Sequence, residues 1–354
     1  MLTSDRVGGR RPPTPGDAVP RLRLPLLAAA AVALSTMLSA CGTSPELTIY
    51  SGRNEELVGG LLEQLEQELG AEVEVRYAGS AELAAQLLEE GEGTEADVFF
   101  SQDAGALGAL GEAERLAPLS QATLDTVPAA YRAQDGSWVA TSARSRVLVY
   151  DPRQVAEADL PGTLDAVVDP RWRGLVGYAP TNASWQAFVT GVRVLRGEDG
   201  ARAWLEAFEA NEPVRLENNV QILDAVNDGQ LAFGLSNHYY WYERVAEVGA
   251  DAVAARVHYV PGGDPLGLVN VAGAGVIAGS DQAELAQRAV DFLVSETAQQ
   301  YFADVTAEYP VRAGVTSGVH DLQPVSDLQP PDIDLSDLAS LQQTLTLLQE
   351  TGLA

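Results

Sequence analysis

Apolar and polar residues alternate along the first third of this chain in two periods, one of strands and one of helices. Residues 47–50 read as a strand, and residues 55–69 follow with Leu57, Leu61, Leu62, Leu65 and Leu69 on one helical face. Asn54 stands where a helix cap belongs, and Glu55 and Glu56 suit the positive end of the helix. Residues 72–77 predict a second strand, and Ser80 caps a helix that stops at Gly91. Residues 97–100 predict a third strand, and 103–112 a short helix opened by Asp103. Strands that alternate with helices imply βαβ units and a parallel sheet.

The same pattern returns in the second half without repeating the sequence. Residues 146–150 read as a strand broken by Asp151 and Pro152. Residues 175–178 form another, followed by Pro180 to Ser184 and a helix through Leu195. Helices are predicted over 201–210 and 219–228, with an extended piece at 214–216 between them. The apolar run 231–235 reads as a buried strand leading into Asn237-His238-Tyr239-Tyr240-Trp241-Tyr242-Glu243. After a strand at 256–260 and a Pro-Gly turn, the Gly-containing apolar stretch 268–278 is a candidate return to the first lobe. Residues 281–294 and 297–302 are helical, and a Leu-rich terminal helix is expected from Ile333 onward.

The amino-terminal end follows a different rule. Arg21 and Arg23 precede an apolar stretch, 24–38, that ends in Leu38-Ser39-Ala40-Cys41, the order of a secretory signal. The stretch is shorter than the roughly 20 residues a membrane span needs. Leu-Ser-Ala before Cys41 resembles a bacterial lipobox, which implies a signal over 1–40, a lipidated Cys41 and a short tether, 41–46. Cys41 is the only cysteine, so an exported domain has no internal disulfide and must rely on its core. The formal charge is −28, and there is no lysine; every basic residue is Arg or His. So acidic a chain argues against nucleic acid as a partner.

The chemistry converges on the ends of strands. Tyr239 and Tyr240 follow a buried strand, at the edge where open α/β sheets bind ligands. Phenols ionise near pH 10, so as ligands they suit a strongly Lewis-acidic, oxygen-loving cation such as Fe(III); otherwise they are packed aromatics. Ser51 to Asn54, Ser101 to Asp103, Thr181 to Ser184, Asn219 and Asn237 also lie just after strands or at helix starts, where free N–H groups favour anions. Tyr50, Tyr178 and Tyr242 are further phenols, with core packing as their simpler role, and His238 is expected at the surface or behind the pair. His238, His258 and His320 lack zinc spacing, and no G-x-S-x-G, H-E-x-x-H or cysteine nucleophile is present. Asp97 and Asp103 fit a strand end and a helix cap better than a catalytic pair. An enzyme is not expected.

Several motifs in order resemble the periplasmic ferric-ion-binding proteins of ABC importers: Ile49 to Arg53, Ala96 to Phe100, Arg144 to Asp151, Asn237 to Tyr242 and Ala307 to Arg312. The resemblance implies an α/β fold of the two-lobed type II binding-protein kind, each lobe a mixed central sheet with flanking helices and the ligand in the cleft between. It assigns 47–144 and 268–315 to the first lobe and 145–267 and 316–354 to the second. It makes Tyr239 and Tyr240 the Fe(III) ligands, and carbonate or phosphate a synergistic anion at Thr181, Asn182, Ala183, Ser184, Asn219 and Asn237, with Arg53 and Arg144 as cationic contacts. Asn54 and Gln102 stand where the family has His and Glu ligands, so the charge left on the metal increases the dependence on the anion. The implied partners are a permease and its ATPase, reached by a monomer tethered outside the cytoplasmic membrane through lipid alone. The same fold holding an organic ligand, an oxyanion or a ferric chelate is the competing reading.

Overall fold

The computed structural model describes residues 46–354. The expected signal, Cys41 and the tether up to residue 45 lie outside the described residues. From Glu46 the chain forms β1 (Glu46–Ser51), α1 (Glu55–Leu69), β2 (Glu72–Tyr77), α2 (Ser80–Glu90), β3 (Val98–Ser101), α3 (Ala104–Glu112) and β4 (Leu116–Ala117). β1 pairs in parallel with β2 and β3, as strand–helix alternation predicts. α1 buries Leu61, Leu62, Leu65 and Leu69 and ends at Gly70, whose φ of 62° lets its N–H reach the Glu66 carbonyl. Asp103 caps α3 by accepting from the Ala106 N–H at 3.1 Å.

β5 (Val139–Tyr150) is twelve residues long and fully buried, beginning well before the expected 146–150 strand. Its first part contains Thr141, Ser142, Arg144 and Ser145, so no apolar run announces it. Buried partners take the place of apolar contacts; the Ser142 hydroxyl, for example, donates to Glu308 at 3.1 Å. The chain continues through β6 (Val176–Tyr178), α4 (Ala183–Ala210), β7 (Val214–Arg215), α5 (Asn219–Asn227), β8 (Phe233–Asn237), α6 (Tyr239–Val248) and β9 (Arg256–His258). It closes with β10 (Val269–Ile277), α7 (Ala283–Leu293), α8 (Glu296–Asp304) and α9 (Leu341–Glu350). α4 joins the two predicted helices across Gly197, whose φ of 73° is not helical.

The strands follow the order β2-β1-β3-β10-β5-β8-β6-β7, with β4 on β10 and β9 on β5. β5 serves two sheets. Val139 to Ser145 pair antiparallel with β10, and Arg146 to Tyr150 pair with β8 and β9. β10 returns to the first half, between β3 and β5, where the apolar glycine-containing stretch pointed. Two cores result. One gathers Leu47, Ile49, Phe99, Phe100, Trp138 and Val271 with α1, α3, α7 and α8. The other gathers Trp172, Trp185, Phe188, Trp204, Phe208 and Phe233.

The carboxyl-terminal assignment is corrected. Leu328, Leu335 and Leu338, expected in the second lobe, belong to the first core, and only Leu347, Leu348 and Leu353 join the second. The expected terminal helix starts at Leu341 because the preceding backbone lies flat on α3. A Cβ at Gly105 would stand 2.5 Å from the Leu338 carbonyl oxygen, and one at Gly108 2.9 Å from that of Ser336. No helix among the described residues is long and apolar enough to cross a membrane.

Candidate functional site

α6 starts where β8 ends, so Tyr239 and Tyr240 occupy a helix's first turn at a strand's carboxyl end. Tyr239 is buried and Tyr240 half-buried, their ring centroids 4.2 Å apart and tilted by 32°. They face a cavity of about 550 Å3 whose second-lobe wall is completed by Asn182, Ala183 and Ser184. The first lobe supplies Gly52 to Glu56, Tyr77 to Ser80 and Gln102. Gly52 is required there: a Cβ would lie 2.0 Å from the Ser80 hydroxyl oxygen.

The expected anion loop is largely brought together. The Asn182 side chain caps α4 by accepting from the Ser184 N–H at 2.9 Å. The Asn219 amide donates to the Ser184 hydroxyl oxygen at 3.1 Å. Asn237 is buried, and its amide nitrogen has no hydrogen-bond partner. Thr181 is exposed and outside the cavity wall.

The arginines divide differently from expectation. Arg53 gives both terminal nitrogens to Glu308, at 2.9 and 2.6 Å, so it is committed to a buried ion pair. Arg144 lies 3.7 Å from the same carboxylate, and its Nε and Nη1 are buried without a hydrogen bond. Arg146, which the sequence did not single out, donates from Nη1 to the Ser184 hydroxyl and to the Asn237 side-chain oxygen Oδ1, each at 3.2 Å. Burial lowers its pKa to about 10, against the pull of any charge on Tyr240 and Tyr239. Burial likewise works against Glu308, yet Arg53 and Arg144 hold its carboxyl below the usual range.

Three buried guanidiniums therefore meet the buried carboxyls of Glu308 and Asp103 and the half-buried Glu243, which burial and Glu308 push up to about 7, so positive charge is in excess behind the tyrosines where Glu243 is protonated. Buried charge without a counter-charge is costly, so the site favours anions. Tyr239 is pushed well above the ordinary phenol range, first by burial and then by Tyr240, while Arg144 pulls the other way. It stays a phenol until a strong cation arrives. Among the described residues no three His, Cys, Asp or Glu side chains form a metal group; the ionisable oxygen donors lining the cavity are the phenols Tyr77, Tyr239 and Tyr240 and the exposed carboxylates Glu55 and Glu56.

Asn54 sits at the N-cap of α1 without capping it, its side chain exposed on the cavity wall. Gln102 is anchored through its backbone N–H to Ser80 at 2.8 Å. His238 is not at the surface: it is fully buried, stacked on Tyr309 at 4.5 Å. Its Nδ1 accepts from the Ser145 N–H, which fixes the proton on Nε2, donated to the Ala307 carbonyl. Burial drops its pKa to about 4. The other phenols are engaged elsewhere. Tyr50 faces Glu90, Tyr178 packs on Trp185 with its pKa raised to about 12 by burial, and Tyr242 donates to the Asp321 carbonyl at 2.8 Å.

Comparison with known proteins agrees with this architecture. Residues 94–333 match the model of a family described as bacterial extracellular solute-binding protein. The chain is 33% identical to the major ferric iron-binding protein of Neisseria meningitidis, over 94% of this chain and 98% of that one. It is 32% identical to the Fe(3+)-binding periplasmic protein of Serratia marcescens, over 94% and 99%. The iron-bound HitA of Pseudomonas aeruginosa superposes with a TM-score of 0.82 at 34% identity, covering 87% of this chain and 99% of its own. A Trichodesmium protein in complex with iron and citrate gives 0.76 at 26% identity, covering 87% and 100%.

Proposed function

This chain belongs to the family of bacterial extracellular solute-binding proteins, and on that premise we propose that it captures ferric iron outside the cytoplasm and delivers it to an ABC permease and its ATPase. Solute-binding proteins of this kind carry cargo and are not enzymes. Tyr239 and Tyr240 are the main ligands in this reading, binding as phenolates. The observation that carries it is the juxtaposition of two contacting phenols with three buried guanidiniums, at a cavity where no three His, Cys, Asp or Glu side chains cluster among the described residues. A hard trivalent cation ionises the phenols, and the N-terminus of α4, Asn219, Asn237 and Arg146 then receive an anion that completes the coordination. Carbonate and phosphate both suit that pocket. The relatives named for ferric iron support the cargo. Export through segment 1–40 and lipidation of Cys41 belong to the same proposal, carried by the order of charged, apolar and small residues before that cysteine.

The cavity's volume of about 550 Å3 favours one second reading, in which the iron arrives with a polycarboxylate such as the citrate of the Trichodesmium neighbour. Both readings are tested by titrating the mature domain with ferric ion while following visible absorption, with bicarbonate, phosphate or citrate supplied. A phenolate-to-iron charge-transfer band that saturates at one equivalent, and collapses in Tyr239→Phe and Tyr240→Phe, is the expected result. No band in the wild type with any of the three anions sinks the ferric reading.

A further inference from the structure

A ligand held by one lobe alone cannot drive closure, because only a difference in its contacts between the two states shifts the equilibrium. Tyr239, Tyr240, Ser184 and Arg146 all belong to the second lobe's part of the site. Closure therefore needs a ligand group on the first lobe. On that wall Arg53 is committed to Glu308, and Asn54 and Gln102 are neutral amides. Glu55 and Glu56 also line that wall, but both side chains are exposed in the first turn of α1, so fixing either on an ion costs its side-chain entropy.

Tyr77 remains. It is the last residue of β2, half-buried against the first core, on the cavity wall opposite the tyrosine pair's lobe. The hydroxyls of Tyr242, Tyr301 and Tyr309 all donate to partners; that of Tyr77 has no hydrogen-bond partner among the described residues. We propose that Tyr77 is a third phenolate ligand, the first lobe's hold on the ferric ion bound by Tyr239 and Tyr240. The inference rests on the ferric reading. The step is ligand exchange without redox change: the Tyr77 O–H bond breaks, its proton leaves to water, and an oxygen–iron bond forms. Before iron arrives, burial and the Glu55 carboxylate keep Tyr77 protonated; a trivalent cation reverses both effects.

Tyr77→Phe removes the hydroxyl and keeps the ring in its packing. In the visible titration the variant's band weakens by the share of one phenolate in three and shifts. Chelator competition shows iron held at least about tenfold less tightly. The contraction in radius of gyration on loading, followed by small-angle X-ray scattering, is reduced. Tyr77→His, which offers an imidazole instead, recovers affinity without recovering the band, a pattern that a packing role does not produce. Wild-type band, affinity and contraction in Tyr77→Phe overturn the role of Tyr77 and leave the ferric reading standing. A wild type without any band overturns both.

Discussion

On the ferric reading, Tyr239 sets the conditions of loading. Its phenol lies well above the ordinary range because it is buried, so the apo protein carries it protonated at neutral pH. Binding a cation must release that proton, and affinity then falls as pH falls, by about tenfold per pH unit for each proton released. The expected outcome is a ferric affinity that drops between pH 8 and pH 6 with a slope of at least one proton, measured by chelator competition (~2 pH units is ample range). Tyr239→Phe flattens that slope by one. A slope of zero in the wild type contradicts phenolate ligation by this residue. The pair's place at the carboxyl end of a buried strand was legible in the sequence because adjacency and an apolar strand before it are local signals. Arg146 and Glu308 were not, although both lie within the motifs that carry the resemblance. Their roles depend on burial and on partners up to 255 positions away, as Arg53 and Glu308 show, and no local pattern encodes that.

At the scale of elements, Glu308 ties the end of β1 to the segment after α8 and to β5. It takes two bonds from Arg53, one from Ser142, and faces Arg144. Glu308→Ala leaves Arg53 buried without its paired carboxylate and Arg144 with Asp103 alone, a change that costs about 3–5 kcal/mol. Chemical denaturation of the apo protein reads it as a lowered midpoint with an unchanged slope. The carboxyl's folded pKa is depressed, so its contribution is fully present above the unfolded value and is lost as pH falls through the folded one. Glu308→Gln is therefore expected to flatten the acid limb of the stability profile; an unchanged limb shows that other carboxylates set it. This network also explains what the apolar pattern missed. The first half of β5 is a strand of buried polar residues satisfied by one another, so neither its period nor its hydropathy marked it. The tail was misassigned for a related reason. Residues 328–338 reach the first core through backbone laid against Gly105 and Gly108, a fit set by small residues more than two hundred positions earlier. Helices with a clean apolar face, α1 above all, needed no such help.

The whole molecule poses an electrostatic puzzle that its site resolves. The chain carries a formal charge of −28, yet the space behind the tyrosines holds Arg53, Arg144 and Arg146 against Glu308, Asp103 and the half-buried Glu243, whose pKa burial raises to about 7. An acidic exterior draws cations toward the protein, while the buried guanidiniums oppose a bare trivalent ion once it arrives. Two phenolates leave Fe(III) with one positive charge. A third from Tyr77 neutralises it, but neither count satisfies the unpartnered nitrogens of Arg144 and Asn237. On the ferric reading proposed above, a further anion reconciles cation and guanidinium in one cavity, and metal and anion are then expected to bind with positive coupling, each raising the other's affinity by the same factor. Iron affinity is expected to fall at least about tenfold when carbonate and phosphate are stripped from the buffer, and to recover with either in proportion to its concentration. Arg146→Gln removes the guanidinium that holds Ser184 and Asn237, and should weaken the anion dependence together with the affinity. If affinity is the same with and without these anions, and citrate does not restore a dependence, the arginines serve structure alone, and the cavity's spare volume is filled by water.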